Sequence, residues 1–137
     1  MLLKTILNRI ERHKSFGYGK IRMLEEDGKL AIEVEVEARA NGRPVCSGCG
    51  DPRSSYDRMP QPRRFEYVPL WGMAVYLIYR MRRVHCPRCG VKVERVPWAE
   101  GKSPLTTSYK WFLARWAKRL PWLEVARVFG TTSDLPT

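Results

Sequence analysis

Long apolar runs are missing from this 137-residue chain. None approaches the ~20 residues that a membrane-spanning helix requires, and no apolar stretch near the N-terminus leads to a small-residue cleavage site. Neither membrane insertion nor a secretory leader is expected, and the chain reads as cytoplasmic. Acid is scarce as well, with 14 Asp+Glu against 25 Lys+Arg. Several of the acids, Glu33, Glu35 and Glu37, fall on one strand face, which is a solvated edge and not the carboxylate set of a two-metal site. An enzyme acting on a small-molecule substrate is therefore not expected. Histidine is limited to two residues and cysteine to four. No internal repeat or low-complexity segment is present.

What the chain does contain is 44% hydrophobic residues and five tryptophans, too much apolar material for a disordered tail. A core of this size usually needs a staple, and a bound metal is one of the standard ones. The formal charge of +11 is distributed unevenly. Residues 1–45 carry a net +2, residues 53–95 a net +7 and residues 96–137 a net +3. The charge is densest around the cysteines, which is the footprint expected of a polyanion-binding surface. Solubility alone is the plainer alternative, although it needs only a modest net charge.

The periodicity predicts an α+β chain. Leu3, Ile6, Leu7 and Ile10 are spaced as one face of a short helix over residues 3–13. Gly17 and Gly19 interrupt that pattern. Asp27-Gly28 is a turn signal, followed by strict alternation of Leu30, Ile32, Val34 and Val36, so residues 20–38 read as a β-hairpin. Its acidic outer face assigns it to scaffold. Residues 51–62 hold Pro52, Pro60 and Pro62 and read as loop. Phe65–Leu70 and Met73–Val84 read as two strands joined at Trp71-Gly72, and residues 91–96 as a further strand. From Pro104 the period becomes helical, with Tyr109, Phe112, Leu113, Trp116, Ala117 and Leu120 on one face and an N-cap among Thr106, Thr107 and Ser108. Pro121 stops that helix. Leu123, Val125, Ala126 and Phe129 predict a second, ended by Gly130. The expected organisation is residues 1–44 as helix plus hairpin, 45–100 as a four-cysteine zinc-ribbon-like β module, 104–132 as a helical hairpin, and 133–137 as a divergent tail.

The chemistry sits in two matched units, Cys46-Ser-Gly-Cys49-Gly50 and Cys86-Pro-Arg-Cys89-Gly90. Two residues between thiolates let both reach one tetrahedral ion at ~2.3 Å, and the glycine after each unit permits the tight turn of a metal knuckle. The units are 36 residues apart, beyond the usual spacing of about 15–20. A hairpin insert brings its own ends together, so the separation is no obstacle. Redox dithiols would need helix starts that these glycines and strands do not provide. Cys46, Cys49, Cys86 and Cys89 are thus expected to hold one structural zinc ion, with His85, Arg88 and Lys92 placed to offset its excess thiolate charge. Four cysteines close the shell and leave no position for a catalytic water.

These knuckles resemble those of the insertion-sequence transposases of the ISL-three type. So do Tyr56-Asp57-Arg58, Val68-Pro69-Leu70, the Arg80–Arg83 strand, the run Arg95-Val-Pro-Trp-Ala-Glu, and Trp111 to Phe129. The resemblance spans roughly residues 40–132. It implies a zinc-binding domain followed by a helix-turn-helix that recognises terminal inverted repeats, and then a large RNase-H-like nuclease with a carboxylate triad and Mg²⁺. The sequence departs from the pattern at about Ser133, where the base-reading helix is due, and no matching triad is present. The expectation is therefore an N-terminal transposase fragment with an incomplete helix-turn-helix that does not cut DNA.

The residues expected to contact duplex phosphates are Arg58, Arg63, Arg64, Arg80, Arg82, Arg83, Arg88, Lys92 and Arg95. Lys110, Arg115, Lys118 and Arg119 extend that surface along the helix. Phosphate contacts supply affinity without sequence information. Two other readings stay open. One is pairing with a full-length transposase, or self-association, through Phe112, Trp116, Val125 and Phe129. The other is an RNA-binding zinc ribbon, which shares the charge pattern but not the helical segment.

Overall fold

The computed structural model describes residues 2–117 and residue 127. It is an α+β structure made mostly of strands. In chain order the elements are α1 (Leu2–Ile10), β1 (Phe16–Glu26), β2 (Lys29–Ala38), β3 (Val45–Cys46), β4 (Ser54–Arg58), β5 (Arg63–Leu70), β6 (Met73–Tyr79), β7 (Arg82–Cys86), β8 (Gly90–Arg95) and α2 (Thr107–Ala117). Two four-stranded sheets result, ordered β1-β2-β6-β5 and β3-β8-β7-β4. No helix among the described residues is long and apolar enough to cross a membrane.

The first sheet follows from alternation. Ile32, Val34 and Val36 of β2 are buried with Val75, Leu77 and Tyr79 of β6 and Phe65 and Tyr67 of β5. Each set falls on every second residue, so one face of the sheet is a continuous apolar surface. The hairpin is longer than expected. Pairing begins at Phe16↔Ala38, and a register shift between Tyr18 and Ile21 absorbs the glycine that interrupts the pattern. The hairpin does not stand apart from the cysteine segment, because β2 pairs in parallel with β6 from Ala31↔Ala74 to Glu35↔Ile78. Helix α1 is shorter than residues 3–13 and contributes Leu7 to the core, while Ile6 and Ile10 remain exposed.

The expected single strand over residues 73–84 is two strands in different sheets. Burial falls on Val75, Leu77, Tyr79 and Met81, and then on Arg82, Val84 and Cys86. The inward-facing positions switch from odd to even between Met81 and Arg82, where the chain passes from one sheet to the other. Met59 N–H donates to the Met81 carbonyl at 2.8 Å, and Arg80 Nε donates to the Met59 carbonyl at 2.7 Å. Residues 51–62 are not all loop, because Ser54–Arg58 forms β4 along the β7 edge.

Two features join the sheets. Trp98, buried to 2% exposure, meets Phe16, Phe65 and Tyr79 edge-on at centroid distances of 5.0, 5.6 and 5.3 Å. Such edge-to-face pairs add to the burial energy of the rings. The second is a buried charge network. Glu94 on β8 accepts from Arg82 Nη2 at 3.0 Å, Arg82 backbone N at 2.7 Å and Tyr79 Oη at 2.6 Å. Its side chain has no exposed area, and that of Arg82 has 8%. Arg82 Nη1 also donates to the Gly42 carbonyl at 3.1 Å.

Helix α2 begins where Thr106 Oγ1 accepts from Tyr109 N–H at 3.2 Å, so Thr106 is the cap among the three candidates. The preceding residues lie along β5. Glu66 N–H donates to the Pro104 carbonyl, and Thr106 N–H to that of Glu66. Leu105, Tyr109 and Leu113 are buried, with Val68 and Phe112 packed against them. The expected second helix over Leu123–Phe129, its Gly130 cap and the 133–137 tail lie outside the described residues, apart from Arg127.

Removing one partner of a buried ion pair leaves the other charge uncompensated, at a typical cost of about 3–5 kcal/mol, whereas replacing both by apolar groups is often nearly neutral. Glu94→Ala is therefore expected to destabilise the protein by about that much, while Arg82→Met with Glu94→Leu recovers most of the loss. Urea unfolding measures both. Equal losses for the single and double variants would show that the pair itself stabilises the fold.

Candidate metal centre and its basic surroundings

The first knuckle is built between β3 and β4. Cys46 N–H donates to the Asp51 carbonyl, Gly50 N–H to the Cys46 carbonyl and Arg53 N–H to the Pro44 carbonyl, each at 2.9 Å. These bonds fold Cys49 back over Cys46. The second knuckle is the turn between β7 and β8, closed by the Cys86↔Gly90 pair. Gly50 and Gly90 have φ of +80° and +82°, a region costly for residues with a Cβ. The glycine after each second cysteine is thus required by the backbone.

Antiparallel pairing of β3 with β8 and of β8 with β7 brings the two knuckles together. All four Sγ atoms lie within 4.8 Å of one another, and Cys49 Sγ and Cys86 Sγ are 3.7 Å apart. A tetrahedron with ~2.3 Å zinc–sulfur arms has edges of about 3.8 Å, so the sulfur spacing is that of zinc ligands and not of disulfides. Cys46 and Cys86 are buried, and Cys49 and Cys89 partly so.

Electrostatics agree with the geometry. Cys46 is held below the usual thiol value by backbone hydrogen bonding at Cys49, and Gly48 N–H reaches its sulfur at 3.3 Å. Burial pushes Cys89 up to about 12, aided by the Cys86 and Cys46 sulfurs. Cys86 falls to about 6, because backbone N–H groups at Arg88 and Cys89 outweigh the upward effect of burial. Burial and the neighbouring sulfurs thus oppose the thiolate form of Cys89, and a divalent cation among the sulfurs favours it. Cys46, Cys49, Cys86 and Cys89 form one structural zinc site, in which the metal supplies cross-linking and charge neutralisation.

One cation beside the sulfurs carries little signal in the sequence. Arg53 Nη2 lies 3.7 Å from Cys49 Sγ and 3.3 Å from Asp51 Oδ2. Its only sequence signal is its position four residues beyond Cys49. His85, expected to offset the thiolates, instead sits exposed on β7 with its ring 6.2 Å from that of Tyr56.

The expected phosphate-binding residues divide into several groups. Arg82 is buried and engaged by Glu94, so it is a core residue and drops out of the surface set. Arg64 pairs with Glu26, lies 3.3 Å from Glu33 and covers the Tyr76 ring at 3.6 Å. It belongs to the acidic outer face of the first sheet, which its charge partly neutralises. Arg63 donates to the carbonyls of Gly101 and Ser103 at 3.0 and 2.8 Å. Arg83 Nε donates to Asp57 Oδ1 at 2.6 Å and holds that carboxyl below its ordinary value. Arg58, Arg88, Lys92 and Arg95 are exposed, as is Arg80 apart from its bond to Met59. On α2, Arg115 is exposed and Lys110 half-buried. Lys118 and Arg119 lie outside the described residues.

Purified protein should contain one zinc per chain by mass spectrometry. Chelation, acidification or Cys86→Ser should release it and remove β signal from the circular dichroism spectrum, because metal binding and local folding are one equilibrium. An intact spectrum after complete metal loss would contradict a structural role.

Among the comparisons with known proteins, a family model described as the zinc-finger of transposase IS204/IS1001/IS1096/IS1165 matches residues 42–89, a stretch that contains all four cysteines. No curated protein and no solved structure matches the chain. The match supports a transposase zinc-ribbon region of the IS204/ISL3 type over residues 42–89.

Proposed function

We propose that this chain is a non-catalytic DNA-binding module of an insertion-sequence transposase, with the zinc ribbon as its rigid centre. The observation that carries this reading is the zinc-finger match over residues 42–89, in a region that also presents exposed Arg58 and Arg88, with Lys92 and Arg95 just beyond. The zinc takes a structural part, since four thiolates close its shell. Arg58, Arg80, Arg88, Lys92 and Arg95, with Lys110 and Arg115 of α2, contact duplex phosphates. Such contacts position a protein on DNA and discriminate little between sequences. In the full-length family such a region works beside a helix-turn-helix at terminal inverted repeats, and DNA transposition is the process this module serves.

A second reading has its own observation. Helix α2 exposes Trp111 at 68%, a residue that would suit pairing with a transposase chain or a second copy.

Fluorescence anisotropy with a labelled duplex should show affinity falling linearly with salt on logarithmic axes. The slope should become shallower by about 0.9 for each phosphate-contacting cation removed. Salt-independent binding, or none, would remove the DNA reading. Light scattering on the same samples without DNA tests pairing with a second copy, which requires a species larger than the monomer.

A further inference from the structure

The N-terminal segment carries a net charge of only +2 over residues 1–45, and its hairpin has an acidic face. Its cations are nonetheless not spread evenly in space. The turn between α1 and β1 is anchored from below. Phe16 packs edge-on against Trp98 and Tyr79, and the His13 ring lies 5.8 Å from that of Trp98. With His13 turned inward, Arg12 and Lys14 on either side of it are exposed.

A second turn, residues 39–43, is latched onto the first. Arg39 N–H donates to the Ser15 carbonyl at 2.8 Å. A Cβ on Gly42 would come within 2.8 Å of Ser15 Cβ and 3.1 Å of the Ser15 carbonyl oxygen. Glycine is needed here for space and not for its φ. This close approach brings Arg43 beside Arg12 and Lys14.

The two turns and the end of β8 enclose a cleft of about 360 Å³ lined by Arg12, Lys14, Arg43 and Arg95, among others. The one carboxylate lining it is Glu94, which is buried and bonded to Arg82. Among the described residues no ion pair engages any of these four cations. Arg95 also lines an adjoining cavity of about 520 Å³ together with Arg63 and Lys102, so the positive track continues past the cleft.

We propose that this cleft grips the phosphodiester backbone of duplex DNA, with Arg12, Lys14 and Arg43 acting alongside Arg95. The inference rests on the DNA-binding reading above and extends it to residues outside the zinc ribbon. Four unpaired cations around one concavity match consecutive phosphates of a polyanion, and the latched turns hold them there before binding.

The test compares two triple variants of equal charge change on the full chain, with anisotropy on a labelled duplex across a salt series. Arg12→Ala with Lys14→Ala and Arg43→Ala is expected to lose affinity more than tenfold and to flatten the salt slope by about 2.7, from about 0.9 per phosphate contact. Lys4→Ala with Lys20→Ala and Lys29→Ala, exposed cations elsewhere, is expected to change both far less. Equal losses from the two triples would overturn the cleft while leaving DNA binding intact. Failure of the unmodified chain to bind would overturn both. Gly42→Ala removes no charge and is expected to weaken binding by parting the turns while zinc content stays at one per chain. Unchanged affinity would overturn the latch.

Discussion

Four sulfur atoms within 4.8 Å of one another are the constraint on which the second sheet depends. As thiolates they repel, and as buried thiols they make poor hydrogen bonds, so only a cation makes the arrangement favourable. The two knuckles stand at the ends of an insert that contains β4, β5, β6 and β7. Closing that insert costs entropy before any strand pairing offsets it. The metal contributes at the point where the cost falls, and β3, β7 and β8 then pair around it.

The insert also belongs to the other sheet. Strands β5 and β6 complete a surface begun by the N-terminal hairpin, and the chain crosses between sheets in the two residues Arg80 and Met81. At the crossing the protein buries an ion pair, which is weak evidence for stability. Its geometry suggests a different role. Glu94 bonds the side chain and backbone of Arg82 and the hydroxyl of Tyr79, and so sets one strand end from each sheet against a third. A slip of one residue in β7 would leave a charge buried without partners. Trp98, just past the end of β8, packs by shape on Phe16, Phe65 and Tyr79 of the first sheet.

Arginine therefore serves several purposes here. Arg82 is internal, Arg64 offsets glutamates on a sheet face, Arg63 ties down a loop through its carbonyls, and Arg53 faces the sulfurs. Among the remaining exposed cations are those proposed above to meet DNA phosphates. A charge total per segment does not separate these uses, and it understates the N-terminal turn, where few cations converge.

Local chemistry was legible in the residues alone. The two CxxCG units specified the metal ligands because two-residue spacing and a following glycine are demands of the knuckle itself. Alternation specified the hairpin and the inward faces of β5 and β6, and the 3.6-residue period specified the first turns of α1 and α2. Tertiary structure decided what depends on partners distant in sequence. It decided that the strand read over residues 73–84 is two, that Ser54–Arg58 pairs with β7, and that β2 lies beside β6. It decided, too, which arginines are buried and which are free. The reason is physical. Periodicity records which side of a strand is apolar but not which strand lies next to it, and a guanidinium has the same sequence signal whether it faces a carboxylate or water.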